Sequence, residues 1–462
     1  MNRYLAILIA ALTSAEMQAF QLAPRIVVNI TVDELRSDYI ETFSPMFSSE
    51  GLRKLIEQGK VYEIASYPSN PIDRASAIAT LATGATPFYH GIVAEQWLDR
   101  QTLRPVYCVD DEKRQTTANR LLTSTLGDEL QISSQGKAVV YGIAATRDAA
   151  ILSAGHAADN AFWIDERLHK WMSSPFYSNK RPAWLGNSEV VTSNETIVEK
   201  TLDAFKASAM GADEVTDMLN VTLSAGISNK NVSNLKVEMQ NIYLQLDQSI
   251  AKLVSSIEQK VGKNRVLFVL TSTGTHSDEV VDYQQYRVPT GIFYINRTAS
   301  LLNVYLSAIY GQGTYIEACH KNQMFVNHKL IEQKRLSLHD VLLRCQELLF
   351  QSAGVGDVYT SERLLTSGKD VEKLRAGFKS TLCGDIIIEV APGWKLYNEK
   401  TNEQYTSRLG VASFPIIFYG NGIKPARVTL PVTVDRIVPT VAKAIHIRAP
   451  NGCNSETLDI ER

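Results

Sequence analysis

The chain alternates short, almost wholly apolar runs with longer stretches whose apolar residues recur every three or four positions. RIVVNITVD is of the first kind: β-branched, apolar and ending in an acid. It predicts a buried parallel strand that delivers Asp33 to its C-terminal edge. GKAVVYGIAA, MLNVTLSAG and RVLFVLTST carry the same signal, and strand character returns in DIIIEVAPGWKL and FPIIFYGNGI. SSEGLRKLIEQG is of the second kind, with Leu52, Leu55 and Ile56 on one face of a short helix that ends at Gly59. Asp73 is a suitable N-cap for a helix through RASAIATLAT, and Gly84 is its stop. TANRLLTSTLGDELQ predicts a further helix. In NIYLQLDQSIAKLVSSIEQKVG, Ile242, Leu246, Ile250, Leu253 and Ile257 share one face and Gly262 is the stop. TVDRIVPTVAKAIHI predicts a last helix capped by Asp435, with Pro439 tolerable only in its early turns.

Alternation of strand and helix predicts an α/β fold: a doubly wound, mostly parallel central sheet flanked by helices, with ligands at the C-terminal ends of the strands. From about 290 to 368 the pattern changes to helix, short strands and helix, which predicts a smaller inserted sub-domain. Repeats, low-complexity segments and Gly/Ser linkers are lacking, so residues 20–462 read as one folded unit. Met1-Asn2-Arg3, the apolar YLAILIAAL and small residues near Ala15 and Ala19 read as a cleavable secretory signal over residues 1–19. That run is too short to span a bilayer, and no later one is long enough, so the mature chain is expected in the periplasm or secreted.

At 462 residues and 45% hydrophobic content the chain can bury a large core. A net charge of −2 without a basic block argues against nucleic acid as a partner. The five cysteines (Cys108, Cys319, Cys345, Cys383, Cys453) permit up to two disulfides with one left over. They form no CxxC or Cys/His cluster, so buried structural thiols are the expectation.

The start of the helix at Arg74, reached by an extended arm, is a natural anion site, because free N–H groups and the helix dipole point outward there. The surrounding TGATPFYHG, together with ELRSDYI after Asp33, AGHAADNAFWID, YGQG and FPIIFYGNG, resembles the alkaline phosphatase superfamily. The likeness is to the secreted bacterial phosphomonoesterases and the type I phosphodiesterase/nucleotide pyrophosphatases, and it runs from Arg25 to about Cys453. It implies a phosphohydrolase scaffold in which a Thr or Ser in that first turn attacks phosphorus. Two zinc ions would be held by three Asp and three His.

Aligned on Thr83-Gly84 and His90-Ile92, the place of the nucleophile holds Arg74, whose guanidinium stays protonated and cannot attack. Asp33 is the lone remnant of the implied metal ligands. Gly226 and Lys230 stand at one Asp and His, Thr273 and Gly274 at an adjacent Asp-His pair, and Ser413 at the last His. An Asn that binds the phosphoryl group aligns with Glu95. A Lys-x-Arg clamp aligns with Thr146 and Asp148, with Arg147 between them.

The resemblance therefore implies a degenerate member with no catalytic residues and with zinc lost. It would serve as a non-catalytic binding or assembly module of the cell envelope, its partner another envelope protein. One alternative is an active phosphatase or phosphodiesterase with a rebuilt, single-metal site, for which Ser76, Ser69 and Thr273 are the nearby nucleophiles. Another is a receptor for a small anion, with Arg74, Lys230 and Asp33 as the ligand-binding residues. His90 and His156 read as satisfied structural histidines, and Asp33 has an equally plain reading as a helix cap or loop anchor. Arg74 is expected to replace the lost metal charge by pairing with Asp33, Glu95 or Asp148.

Overall fold

The structure is a computed structural model that describes residues 22–113, 115–227, 234–275, 286–366, 368–406 and 413–460. The expected signal at 1–19 and Lys230 lie outside the described residues.

The central sheet has ten strands: β1 Ile26–Asp33, β2 Lys60–Ser66, β3 Val140–Ile143, β4 Asn160–Ile164, β5 Trp171–Ser173, β6 Asp217–Ser224, β7 Val266–Ser272, β8 Phe414–Gly420, β9 Ala426–Val428 and β10 Val432–Thr433. Their order is β9-β2-β8-β7-β1-β6-β3-β4-β5, with β10 also on β2. β1 lies parallel to both β6 and β7, in register from Ile26 opposite Asp217 and Val266. Only β8 and β5 run against their neighbours. β1, β6 and β7 are covered on both faces, which is why their sequences are nearly continuous apolar runs.

Two apolar layers sandwich this sheet. One contains Ala75 and Ile78 of helix α1 (Arg74–Thr83) and Ala150 and Ile151 of helix α2 (Arg147–Ala154). The other contains Leu52, Leu55, Leu246, Ile250, Leu253 and Ile257, the faces that the helical periodicity picked out. The doubly wound arrangement follows from this pair of layers, and it puts the loops after β1 and β7 and the start of α1 at one edge of the sheet.

The segment 291–406 builds two small sheets of its own. Gly291–Tyr294, Trp394–Asn398 and Glu403–Thr406 form one; Ile316–His320, Gln323–Val326, Ile386–Val390 and Val355–Thr360 form the other. Phe293, Leu302, Leu306, Val341, Cys345, Ile388 and Leu396 share a separate apolar cluster with them. An insertion ending near 368 would leave this cluster without the strands Ile386–Val390 and Trp394–Asn398, which return to complete it.

Two local expectations are corrected. The helix within TANRLLTSTLGDELQ spans only Leu126–Ser133, because Thr125 and Asp128 form a reciprocal capping box that starts it there. Asp435 does not cap the last helix, Ile437–Ala444; it lies in a preceding single turn and accepts a hydrogen bond from Ser455. The expectation of thiols holds: all five cysteines are free, with Cys108, Cys345 and Cys383 buried.

A buried carboxylate fixes the helix Leu52–Gln58 on the sheet. Asp247, from the helix Leu235–Val261, accepts the backbone N–H of Ser48 at 2.8 Å and of Leu52 at 2.7 Å. Replacing it leaves two donors without partners where water is excluded, each costing roughly 1–3 kcal/mol. Asp247→Ala is expected to lower the urea midpoint by the equivalent of about 3 kcal/mol at unchanged m-value.

Candidate active site of a phosphohydrolase scaffold

The first turn of α1 is fastened from three sides. Asp73 accepts the N–H of Ser76 at 3.0 Å, and Ser76 Oγ in turn accepts the N–H of Asp73 at 3.1 Å. The second Asp73 oxygen accepts the N–H of Glu95 at 2.7 Å and lies 3.6 Å from Lys321 Nζ. At the other end Gly84 takes φ +66°, and a Cβ there would stand 2.7 Å from Cys453 Sγ, so only glycine closes this helix without strain. The sequence reading of both caps holds.

Arg74 turns inward. Its Nε donates to Asp148 Oδ2 at 3.0 Å and its Nη2 to Asp148 Oδ1 at 3.3 Å, a forked contact, while Nη2 stands 3.8 Å from Glu95 Oε1. Asp148, in the first turn of α2, is wholly buried and also accepts the Tyr107 hydroxyl at 3.2 Å. Burial works against the Arg74 charge, but the adjoining Asp148 carboxylate outweighs it and pushes the guanidinium pKa up. Burial and the Asp148 charge together raise the Glu95 pKa, against the pull of Arg74. Arg147 points elsewhere: it pairs with Asp110 at 3.0 Å, donates to Thr116 at 3.1 Å and lies over the Tyr107 ring. Thr146 sits at the N-cap of α2 but makes no side-chain cap bond.

The places that the resemblance assigns to metal ligands hold contacts within the chain. Thr273 and Thr275, the latter at 2.7 Å, both donate to Asp33 Oδ1. Beside Gly274 lie the rings of Tyr67 and Phe414, where a Cβ would stand 2.9 Å and 3.0 Å from them. Tyr67 is held by its hydroxyl bond to the Ser272 carbonyl at 2.9 Å, and burial raises its pKa well above the phenol value. A Cβ on Gly226 would stand 2.7 Å from the Glu34 carboxylate. Ser413 Oγ donates to the Glu63 carbonyl at 3.4 Å. Among the described residues, no three His, Cys, Asp or Glu side chains converge as a metal site would need. The described residues of this site, with Asp33 as the one carboxylate at those places, do not by themselves fit a pair of zinc ions.

The alternative nucleophiles are also occupied or enclosed. Ser76 is fully buried inside the capping box and donates to the Asp73 carbonyl at 3.0 Å. Thr273 is fully buried with its hydroxyl directed at Asp33, and Ser69 is buried as well. His90 accepts the N–H of Ile92 at 3.1 Å and lies 3.2 Å from Thr80 Oγ1; burial pushes its pKa down to about 3. His156 lies 2.9 Å from Asp128 and 3.0 Å from the Leu121 carbonyl, and the Asp128 hydrogen bond raises its pKa. Both histidines have their ring nitrogens in contacts within the chain.

Sequence reasoning missed Tyr107, Thr275, Tyr67, Phe414, Glu34 and Lys321. Thr275 reaches Asp33 through the turn at Gly274, φ +67°, beyond the end of the strand. The others arrive from distant segments with no local mark.

The fold is that of the alkaline phosphatase superfamily. A profile of the type I phosphodiesterase/nucleotide pyrophosphatase family matches residues 27–411, and the chain belongs to that family. The chain is 25% identical over 509 aligned positions to alkaline phosphatase PafA of Elizabethkingia meningoseptica, covering 93% of each. It is 22% identical to alkaline phosphatase PhoV of Synechococcus elongatus, over 93% of this chain and 91% of that one. The crystal structure of wild-type PafA superposes with a TM-score of 0.82 at 21% identity, covering 94% of this chain and 98% of that one.

Two outcomes follow. Arg74→Met should destabilise the protein by about 3 kcal/mol, because it leaves Asp148 buried and unpaired. In an Asp148→Asn background the same change should cost much less, and denaturant unfolding of the four proteins measures the coupling. For His90, the folded pKa of about 3 lies below the ordinary imidazole value of 6.5, so between those limits the unfolded chain binds the extra proton. The His90 contribution is complete above about pH 6.5 and falls by about 1.4 kcal/mol per pH unit as the pH drops toward 3. An imidazole resonance of His90 that does not titrate between pH 7 and 4 is the expected NMR result.

Proposed function

We propose that this protein is a non-catalytic member of its family, exported to the periplasm or secreted, that serves as a binding or assembly module of the cell envelope. The observation that carries this reading is the place of Arg74. A permanently charged side chain stands where the nucleophile would be, and its fork is spent on Asp148. The donor set around Asp33 supports it further. So does Glu95, whose carboxylate would repel a phosphoryl group. A partner among envelope proteins fits an exported chain in which no described helix is long and apolar enough to cross a membrane.

The comparisons taken alone favour a second reading, because the relatives are named alkaline phosphatases. An active phosphatase or phosphodiesterase would require a rebuilt site with Ser76, Ser69 or Thr273 as the attacking group. The burial of all three weighs against it. A small-anion receptor has less support, since an anion reaching Arg74 would meet Asp148 and Glu95 on the same guanidinium.

Hydrolysis of p-nitrophenyl phosphate and bis(p-nitrophenyl) phosphate, with and without micromolar zinc, tests the choice. We expect no turnover above the buffer blank and, by elemental analysis after dialysis, less than stoichiometric zinc. Turnover that disappears in Ser76→Ala, or two zinc equivalents held per chain, would establish the second reading instead.

A further inference from the structure

The hairpin of strands Gln96–Leu98 and Pro105–Tyr107 is held at both ends by buried charge. At its root, the Glu95 N–H donates to Asp73 at 2.7 Å, the Glu95 carboxylate lies 3.8 Å from Arg74, and the Tyr107 hydroxyl donates to Asp148 at 3.2 Å. At its tip, Arg100 forks onto Asp385, Nη1 to Oδ2 at 3.1 Å and Nη2 to Oδ1 at 3.2 Å, and also donates to the carbonyl of Cys383. Asp385 is almost wholly buried in the segment 291–406, where it accepts the Val326 N–H at 2.9 Å and lies 2.9 Å from His328 Nε2. Between root and tip, His320 Nε2 stands 3.3 Å from the Gln96 carbonyl.

Root and tip are therefore anchored on different carboxylates, one in the main core and one in the segment 291–406, with Lys321 of that segment also 3.6 Å from Asp73 at the root. The root is bound to α1 and α2 of the main core. The tip is bound to a carboxylate that sits among the strands of the inserted segment. The ladder between them is pinned, with Gln96 opposite Tyr107 and Leu98 opposite Pro105, and with Trp97 and Leu98 buried. A slip at the root cannot be absorbed by a one-residue shift, because that would exchange the faces on which the buried Trp97 and Leu98 are packed. Displacement at one end must reach the other over roughly 15 Å of strand.

We propose that this hairpin is a strap that couples the Arg74–Asp148 pair in the cleft to the seat of the segment 291–406. Whatever loosens or re-pairs Arg74 loosens the hold of Arg100 on Asp385. The strap operates whether or not the cleft is catalytic, so its test is separate from the activity assay.

The native thiols report on it. Cys383 is buried at the tip, its carbonyl is bound by Arg100, and burial pushes its thiol up to about 11. Cys345 is buried inside the inserted segment, with its thiol pushed up to about 12, and serves as the reference. Labelling of the intact protein with N-ethylmaleimide, resolved by peptide mass spectrometry, gives both rates at once. Arg100→Met is expected to accelerate Cys383 about tenfold by raising the population of the locally open form. Arg74→Met, which touches neither cysteine, is expected to accelerate Cys383 several-fold and leave Cys345 unchanged. Arg74→Lys, which keeps the charge and loses the fork, is measured beside it as the gentler variant and is expected to give the same selectivity. A wild-type Cys383 rate in both Arg74 variants would overturn the strap. So would equal acceleration of Cys345, which would mean general loosening.

Discussion

A carboxylate sealed from water at the first turn of a helix must be met by a positive charge, or it becomes neutral or exposed at a cost of several kcal/mol. Asp148 is such a group, and the arrangement of the cleft follows from how it is satisfied. The guanidinium of Arg74 meets it with two hydrogen bonds and the Tyr107 hydroxyl supplies a third. This pins α1 to α2 and brings the hairpin root against both. The Asp148 charge also sits near the N-terminal end of α2, where the helix dipole favours it. Set against the resemblance, the local signs have been exchanged: an acid stands in the place of a clamping base, and a base stands in the place of the nucleophile.

The remaining positions of the cleft follow the same logic of filling what was open. Gly274 takes φ +67° with no side chain, and the Tyr67 and Phe414 rings pack into the room this leaves. Asp33 accepts hydrogen bonds from two hydroxyls on one of its oxygens. None of these exchanges disturbs the sheet. That is how the fold can superpose on an alkaline phosphatase at a TM-score of 0.82 while identity is 21%. Cores tolerate extensive substitution when volume and pattern are kept, whereas a reaction depends on a few side chains in one geometry. The proposed loss of catalysis is a matter of those few residues and leaves the scaffold intact.

Stability and coupling are concentrated where charges are buried. Asp247, Asp148 and Asp385 each take several donors in places closed to water, and each joins elements far apart in the chain. Carboxylates of this kind give specificity to contacts that apolar packing alone would leave free to slide. In Asp385 this joins the inserted segment to the main core through the hairpin, beside the contacts of Lys321 with Asp73, Lys373 with Asn70 and Lys379 with Phe88.

Much of this was legible in the chain itself. The apolar runs of β1, β6 and β7, the caps of α1 at Asp73 and Gly84 and the face of the helix Leu235–Val261 follow from local chemistry, which acts within a few residues of its cause. That Arg74, Gly226, Thr273, Gly274 and Ser413 stand where the resemblance implies a nucleophile and metal ligands is a reading of the sequence, and the proposed function rests on it. Local signals failed where a helix start hung on one reciprocal box, at Thr125 and Asp128, and where an inserted segment closed with strands far along the chain. They could not choose among Asp33, Glu95 and Asp148 as the partner of Arg74. Tertiary structure decided that, because the loop after β7 brings Thr273 and Thr275 onto Asp33, Glu95 stays half open to water, and Asp148 alone is buried deeply enough to require the full fork.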